Sequence, residues 1–261
     1  MATGENIRHV ANLIVNYVGQ GYRVVAVISA LEGVTDKLIE MAEQARKGNR
    51  DGIRDSKQEL LKEHLTAARK AIENKRIQEE TEQILKTTID ELEKVLTGII
   101  YVGELTPKSR DYVLSFGERL STPIVWGALR DLELNAQYYT GGEVGIVTDS
   151  NFGEASPLMN VTKHQVREKI EPLLEKGVVP VVTGYIAATQ DGVTTTLGRG
   201  GSDYTATILG AALAADEVWI WTDVDGLMTC DPKIVPKAKM MPKLSFQEAT
   251  EMTIFGAKAM H

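Results

Sequence analysis

The sequence predicts an α/β protein with a mostly parallel central sheet sandwiched by helices. Three observations predict it. Short β-branched runs alternate along the chain with segments of helical periodicity. One run, residues 178–184, is largely apolar, as a central parallel strand buried on both faces requires. The last part reads as a β-α-β unit: a glycine loop over 198–202, an alanine-rich helix over 203–214 and an apolar strand over 217–222.

Taken in order, Ile7, Val10, Ala11, Ile14, Val15 and Val18 recur at helical spacing, and Gly19 and Gly21 close the segment. The β-branched run 23–29 then reads as a buried strand, followed by Gly33-Val-Thr-Asp36 and a second helical pattern. Residues 45–98 shift to Lys, Glu, Gln and Arg with Leu or Ile at intervals and no proline, which predicts a helical insertion whose charges face solvent. A further helix is expected over 116–132, with Pro123 near its first turn or at a kink. Turns at Gly141-Gly142 and over 149–157 flank a short strand, 144–148, and Pro180 sits early in the strand over 178–184.

Composition narrows the function. With 261 residues, 43% of them hydrophobic, the chain can bury a substantial core. A formal net charge of −7 offers no basic surface, so nucleic acid is not expected as a partner. Cys230 is the only cysteine, which excludes an internal disulfide or a multi-cysteine metal site. No apolar run approaches the roughly 18 residues of a membrane span, and the polar start 1–8 has no signal-peptide core, so a cytoplasmic protein without membrane contact is expected. The four histidines, His9, His64, His164 and His261, show no metal-ligand spacing.

The most informative segment is Thr194-Thr-Thr-Leu-Gly-Arg-Gly-Gly-Ser-Asp203, where three glycines surround Arg199 and lead into a helix capped by Ser202 or Asp203. Such a turn exposes backbone N–H groups, and the positive helix end attracts an anion. An ordinary capped glycine turn fits the same residues; Arg199, a fork-shaped cation, favours a carboxylate or phosphate. Thr222 and Asp223 end the next strand, where ligands collect in open α/β sheets, and Lys233 lies just past the following turn. Neither a Gly-Lys-Ser/Thr phosphate loop nor a Gly-x-Gly-x-x-Gly fingerprint is present, which disfavours those two nucleotide-binding classes.

Four segments together resemble aspartokinase signatures of the amino-acid kinase fold: Ser115-Phe-Gly-Glu-Arg-Leu120, 194–203, 221–232 and Phe255-Gly-Ala-Lys258. The resemblance covers nearly the whole chain, and residues 1–261 would form one catalytic domain. It implies phosphoryl transfer from ATP to the β-carboxylate of L-aspartate, the first step toward lysine, threonine and methionine. It further implies that Glu118 holds the substrate ammonium and Arg199 its α-carboxylate, with Ser29, Thr35 and Ser202 in the same pocket. Asp203 and Lys258 would be catalytic; Gly200, Gly201, Thr222, Asp223, Lys233 and Lys258 would bind ATP. Mg²⁺ would be held mainly through ATP phosphates, without a dedicated metal ligand, and a homo-oligomer is expected.

Three departures accompany the resemblance. The family opens with Lys-Phe-Gly-Gly-Thr-Ser-Val, which carries a catalytic lysine, whereas this chain begins Met1-Ala-Thr-Gly-Glu5. It ends at His261, before the regulatory ACT domains, so a catalytic domain truncated at both ends and impaired in activity is expected. Met228 stands where many relatives have tyrosine near the nucleotide. Two other readings stay open: a catalytically dead fragment that binds nucleotide or serves assembly, and a sibling kinase with another carboxylate acceptor.

Overall fold

The computed structural model describes residues 3–221, 226, 228–230, 235 and 237–254. The chain divides into two compact units, 1–216 and 217–261. In the first, the order is α1 (Gly4–Gly19), β1 (Ala26–Ile28), α2 (Val34–Arg46), α3 (Arg50–Ala71), α4 (Lys75–Val102), α5 (Pro107–Leu114), α6 (Phe116–Asp131), β2 (Ala136–Tyr139), β3 (Val147–Thr148), α7 (Met159–Glu175), β4 (Val179–Thr183), β5 (Ile186–Thr189), β6 (Thr194–Thr196) and α8 (Gly201–Leu213).

Two small sheets result. The first has the order β1-β4-β2 and is wholly parallel, with Ala26 opposite Val181 and Ala136 opposite Val179. β4 is its central strand and is buried at every residue, as its apolar composition requires. Pro180 is tolerated there because the β1 ladder begins one residue later, at Val181, which leaves Pro180 paired only with Gln137 of β2. In the second sheet β3 runs parallel to β5, and β5 and β6 form a hairpin. The strand expected over 144–148 is shortened to its last two residues, because 142–145 make a turn in which Gly145 adopts φ +94°.

Helices α3 and α4 are the charged segment. Each begins on an asparagine whose side-chain oxygen accepts from the first turn: Asn49 from Gly52 N–H, and Asn74 from Arg76 and Ile77 N–H. Their apolar faces, including Leu60, Ala68, Leu85, Ile89 and Leu96, join one core with Ile28 and Val181 of the sheet. Their charges stay at the surface, paired as Lys57–Glu93 and Arg69–Glu82. Helix α6 is buried on nearly all sides from Phe116 to Leu129. Pro123 lies in its interior rather than in its first turn, and the helix runs on to Asp131 as one element.

The second unit contains α9 (Phe246–Ile254), started by a capping box in which Ser245 Oγ accepts from Glu248 N–H and Glu248 accepts from Ser245 N–H. The strand expected over 217–222 is a correction: residues 217–221 form no strand, and Val218, Trp219 and Trp221 are exposed. An apolar run becomes a strand only when another strand takes up its backbone groups, and among the described residues none does. Among the described residues no helix is long and apolar enough to cross a membrane.

Candidate active site

The carboxyl ends of β1 and β4 lie side by side, and the first turns of α6 and α8 close over them. Gly184 N–H, directly after β4, donates to the Ile28 carbonyl at 2.7 Å. The Ser121 hydroxyl of α6 donates to the Ser29 carbonyl at 2.8 Å. Gly117, in the Phe-Gly-Glu-Arg element, meets the loop after β1 so closely that a Cβ would fall 2.9 Å from the Ala30 methyl. On the α8 side, a Cβ on Gly184 would fall 2.5 Å from Ser202 Oγ, and one on Gly201 would fall 2.6 Å from the Tyr185 ring. Glycine at these positions is what lets both helix starts reach the strand ends.

Tyr185 lies between them with φ +62°, a conformation rare for an aromatic residue. It is held from both sides of its backbone: its N–H donates to Thr205 Oγ1 at 3.0 Å, and its carbonyl accepts from Leu197 N–H at 2.9 Å.

These strand ends and helix starts bound a pocket of about 530 Å³, a size suited to a small ligand. Ser29, Thr35, Glu118, Arg199, Gly200, Gly201, Ser202 and Asp203 all line it. Residues from three distant parts of the sequence are thereby brought together. Thr222, Asp223, Lys233 and Lys258 lie outside the described residues.

Glu118 occupies the first turn of α6 and is only 3% exposed. Its Oε1 accepts from Ala30 N–H at 3.1 Å, while its Oε2 is buried without a described partner. Burial pushes its carboxyl up to about 8, and the Ala30 N–H offsets only part of that. A carboxyl in this state keeps its proton at neutral pH, and an incoming cation would favour the ionised form by supplying a counter-charge.

Arg199 has the opposite character. It is exposed, stands between Gly198 at φ +75° and Gly200 at φ +74°, and makes no ion pair with a described residue. The left-handed Gly200 is the N-cap of α8, so the expected cap at Ser202 or Asp203 is corrected. Both lie inside the first turn, because the glycine has already set the chain on its helical path. Among the described residues, one pocket therefore presents a buried carboxyl group without a cation and a guanidinium without an anion.

Sequence reasoning missed several lining residues, among them Arg110, Asp111, Glu154 and Tyr185. Asp111 is 1% exposed, and burial raises its carboxyl above the usual range against three hydrogen bonds that lower it. One available signal was its place seven residues before Glu118, two helical turns away.

Comparison with known proteins gives this pocket a context. The family model described as "Amino acid kinase family" matches residues 1–261. The chain belongs to the amino acid kinase family. Within it, the chain is 37% identical to chloroplastic aspartokinase 2 of Arabidopsis thaliana over 264 residues, covering 99% of this chain and 46% of that protein. It is 36% identical to lysine-sensitive aspartokinase 3 of Escherichia coli, covering 90% of this chain and 50% of that protein. The crystal structure of E. coli aspartokinase III in complex with aspartate and ADP superimposes with a TM-score of 0.86 at 30% identity, covering 100% of this chain and 55% of that one. The chain thus spans about half the length of the curated relatives it matches. The α/β architecture expected from the sequence is the one these relatives share.

Proposed function

We propose that this chain transfers the γ-phosphoryl group of ATP to the β-carboxylate of L-aspartate, giving β-aspartyl phosphate and ADP. One observation carries the reading: Glu118, with a buried oxygen that has no described partner, and Arg199, which makes no ion pair with a described residue, line the same pocket. An amino acid carries an ammonium and an α-carboxylate, and needs both counter-charges. The likeness to an aspartokinase that binds aspartate and ADP supports it.

In this reading Glu118 accepts from the ammonium, Arg199 pairs with the α-carboxylate, and the hydroxyls of Ser29, Thr35 and Ser202 orient the molecule. The β-carboxylate is already ionised at neutral pH, with a reference pKa of about 3.9, so no general base is required. One of its oxygens attacks the γ-phosphorus, the bond to the β–γ bridging oxygen breaks, and the electron pair leaves with ADP. Catalysis then reduces to positioning and charge neutralisation. The N–H of Gly200, at the positive end of α8, suits a phosphoryl oxygen, with Gly201 beside it donating its own N–H to the Gly198 carbonyl at 3.0 Å and so fixing the turn. Asp203 would orient lysines around the transferring group, and Thr222, Asp223, Lys233 and Lys258 would hold the nucleotide.

Among the described residues no group of three or more His, Cys, Asp or Glu side chains could hold a metal ion by itself. The oxygen donors at the pocket, Asp203 and Glu154, suit Mg²⁺ carried on nucleotide phosphates. When bound, that ion offsets negative charge on the phosphoryl oxygens.

The product would be the first intermediate toward lysine, threonine and methionine. Trapping with hydroxylamine tests the proposal: aspartyl hydroxamate should form only when ATP, Mg²⁺ and L-aspartate are all present. Hydroxamate from another amino acid or carboxylate, with none from aspartate, would transfer the chain to a different acceptor.

A further inference from the structure

Asp111 lies within α5, yet its carboxylate is spent entirely on segments far away in sequence. Oδ2 accepts from Gly153 N–H at 3.0 Å and from Thr196 N–H at 2.9 Å; Oδ1 accepts from the Thr196 hydroxyl at 2.9 Å. The Thr196 carbonyl in turn accepts from Ala155 N–H at 2.9 Å, so the Gly153 turn and the end of β6 are stitched to each other as well. Three residues beyond Thr196 stands Arg199.

The Gly153 turn also backs the arginine loop directly. A Cβ on Gly198 would come within 3.2 Å of Glu154 Cγ and 3.5 Å of the Gly153 carbonyl oxygen. On the other side, Asp111 is tied to Glu118 through the helical backbone: Ser115 N–H donates to the Asp111 carbonyl, and Arg119 N–H donates to the Ser115 carbonyl. One buried carboxylate thus connects the helix carrying Glu118 with the loop carrying Arg199. An apolar side chain would fill the same space at lower desolvation cost but would leave the buried Thr196 N–H and the part-buried Gly153 N–H unpaired.

We propose that Asp111 is a positioning residue that sets the separation between Glu118 and the Arg199 loop by holding Gly153 and Thr196 at fixed places. Asp111 acts on substrate only through those two, and the consequence for aspartate rests on the reading of Glu118 and Arg199 given above. Asp111→Asn should preserve the arrangement: the amide can turn its oxygen to the two N–H groups and donate its NH₂ to the Thr196 hydroxyl. Asp111→Ala removes all three bonds, and Thr196→Val removes one.

Amide hydrogen exchange on the ligand-free chain tests the positioning itself. In Asp111→Ala, exchange at 153–156 and 198–203 should rise by about tenfold or more, the scale expected from losing hydrogen bonds to a charged group, while the central strand 179–183 keeps its protection. Thr196→Val should show a smaller rise at the same places, and it decides the matter if Asp111→Ala does not fold. In steady-state assays the KM for aspartate should rise in Asp111→Ala with the KM for ATP unchanged, and Asp111→Asn should restore it. Unchanged exchange at 198–203 in the variants lacking the bonds would overturn the proposal, as would loss of protection spread over the whole chain. Failure of the wild-type chain to use aspartate would instead remove the functional reading, and the exchange experiment would still judge the role of Asp111.

Discussion

Replacing Glu118 with glutamine should make the chain more stable at neutral pH, and the amount should depend on pH in a defined way. Glu118 is buried, has one hydrogen bond from Ala30, and has its carboxyl raised from 4.5 to about 8. Below pH 4.5 the carboxyl is protonated in both folded and unfolded chains, and its contribution to stability is fully present. As pH rises toward 8 the unfolded chain ionises while the folded chain holds its proton, so stability is lost across that window. At about 1.36 kcal/mol per pH unit, the loss between 4.5 and pH 7 is roughly 3 kcal/mol. Glutamine keeps the shape and an acceptor for Ala30 N–H but never ionises. The variant and wild type should therefore differ little at pH 5 and diverge by roughly 2–3 kcal/mol by pH 7. Urea unfolding midpoints at pH 5, 6, 7 and 8 measure this directly. A difference that does not change with pH would show that Glu118 ionises as freely in the folded chain as in the unfolded one, and the argument from burial would be wrong.

Three further outcomes follow from the same geometry. Binding of L-aspartate at pH 7 should release a proton as its ammonium pairs with Glu118, visible as a buffer-dependent calorimetric enthalpy and abolished in Glu118→Gln. Arg199→Ala should weaken aspartate use by about 1.5–3 kcal/mol, the scale of hydrogen bonds to a charged group, with a melting temperature near that of wild type because the side chain is exposed. Gly201→Ala should lower both stability and aspartate affinity, since the added methyl would lie 2.6 Å from the Tyr185 ring and 3.1 Å from its Cα; overpacking of this kind costs typically 1–3 kcal/mol in a denaturation midpoint. Away from the pocket, Asp131 accepts from Glu73 and Asn74 N–H and pairs with Arg8, and these contacts outweigh burial to hold its carboxyl below the usual range. Its stabilisation is present above about pH 4 and fades as pH falls through the lowered value, so Asp131→Asn should flatten the acid limb of a pH–stability curve.

Much of this protein was legible in the sequence wherever the determining forces are local. Helical periodicity marked α1 and the charged pair α3 and α4, and a largely apolar run marked β4, because burial of one face or of both leaves a pattern in neighbouring residues. The glycines around Arg199 announced their loop, since left-handed backbone at Gly198 and Gly200 is a property of the residue itself. Strands were harder. β2, reading Ala-Gln-Tyr-Tyr, carries no clear alternation and exists because β4 pairs with it, while the apolar run at 217–221 looked like a strand and none of the described strands pairs with it. The family motifs named the pocket residues, but only the tertiary structure decided their chemistry. Glu118 is an ordinary glutamate in sequence; its raised carboxyl comes from α6 being buried on almost every side, and the Ala30 N–H, which reaches one of its two oxygens, offsets only part of that rise. Asp111 gave no sign of reaching Gly153 and Thr196, 42 and 85 residues away. A hydrogen bond across such distances depends on how whole elements pack, and nothing in the residues beside Asp111 encodes it.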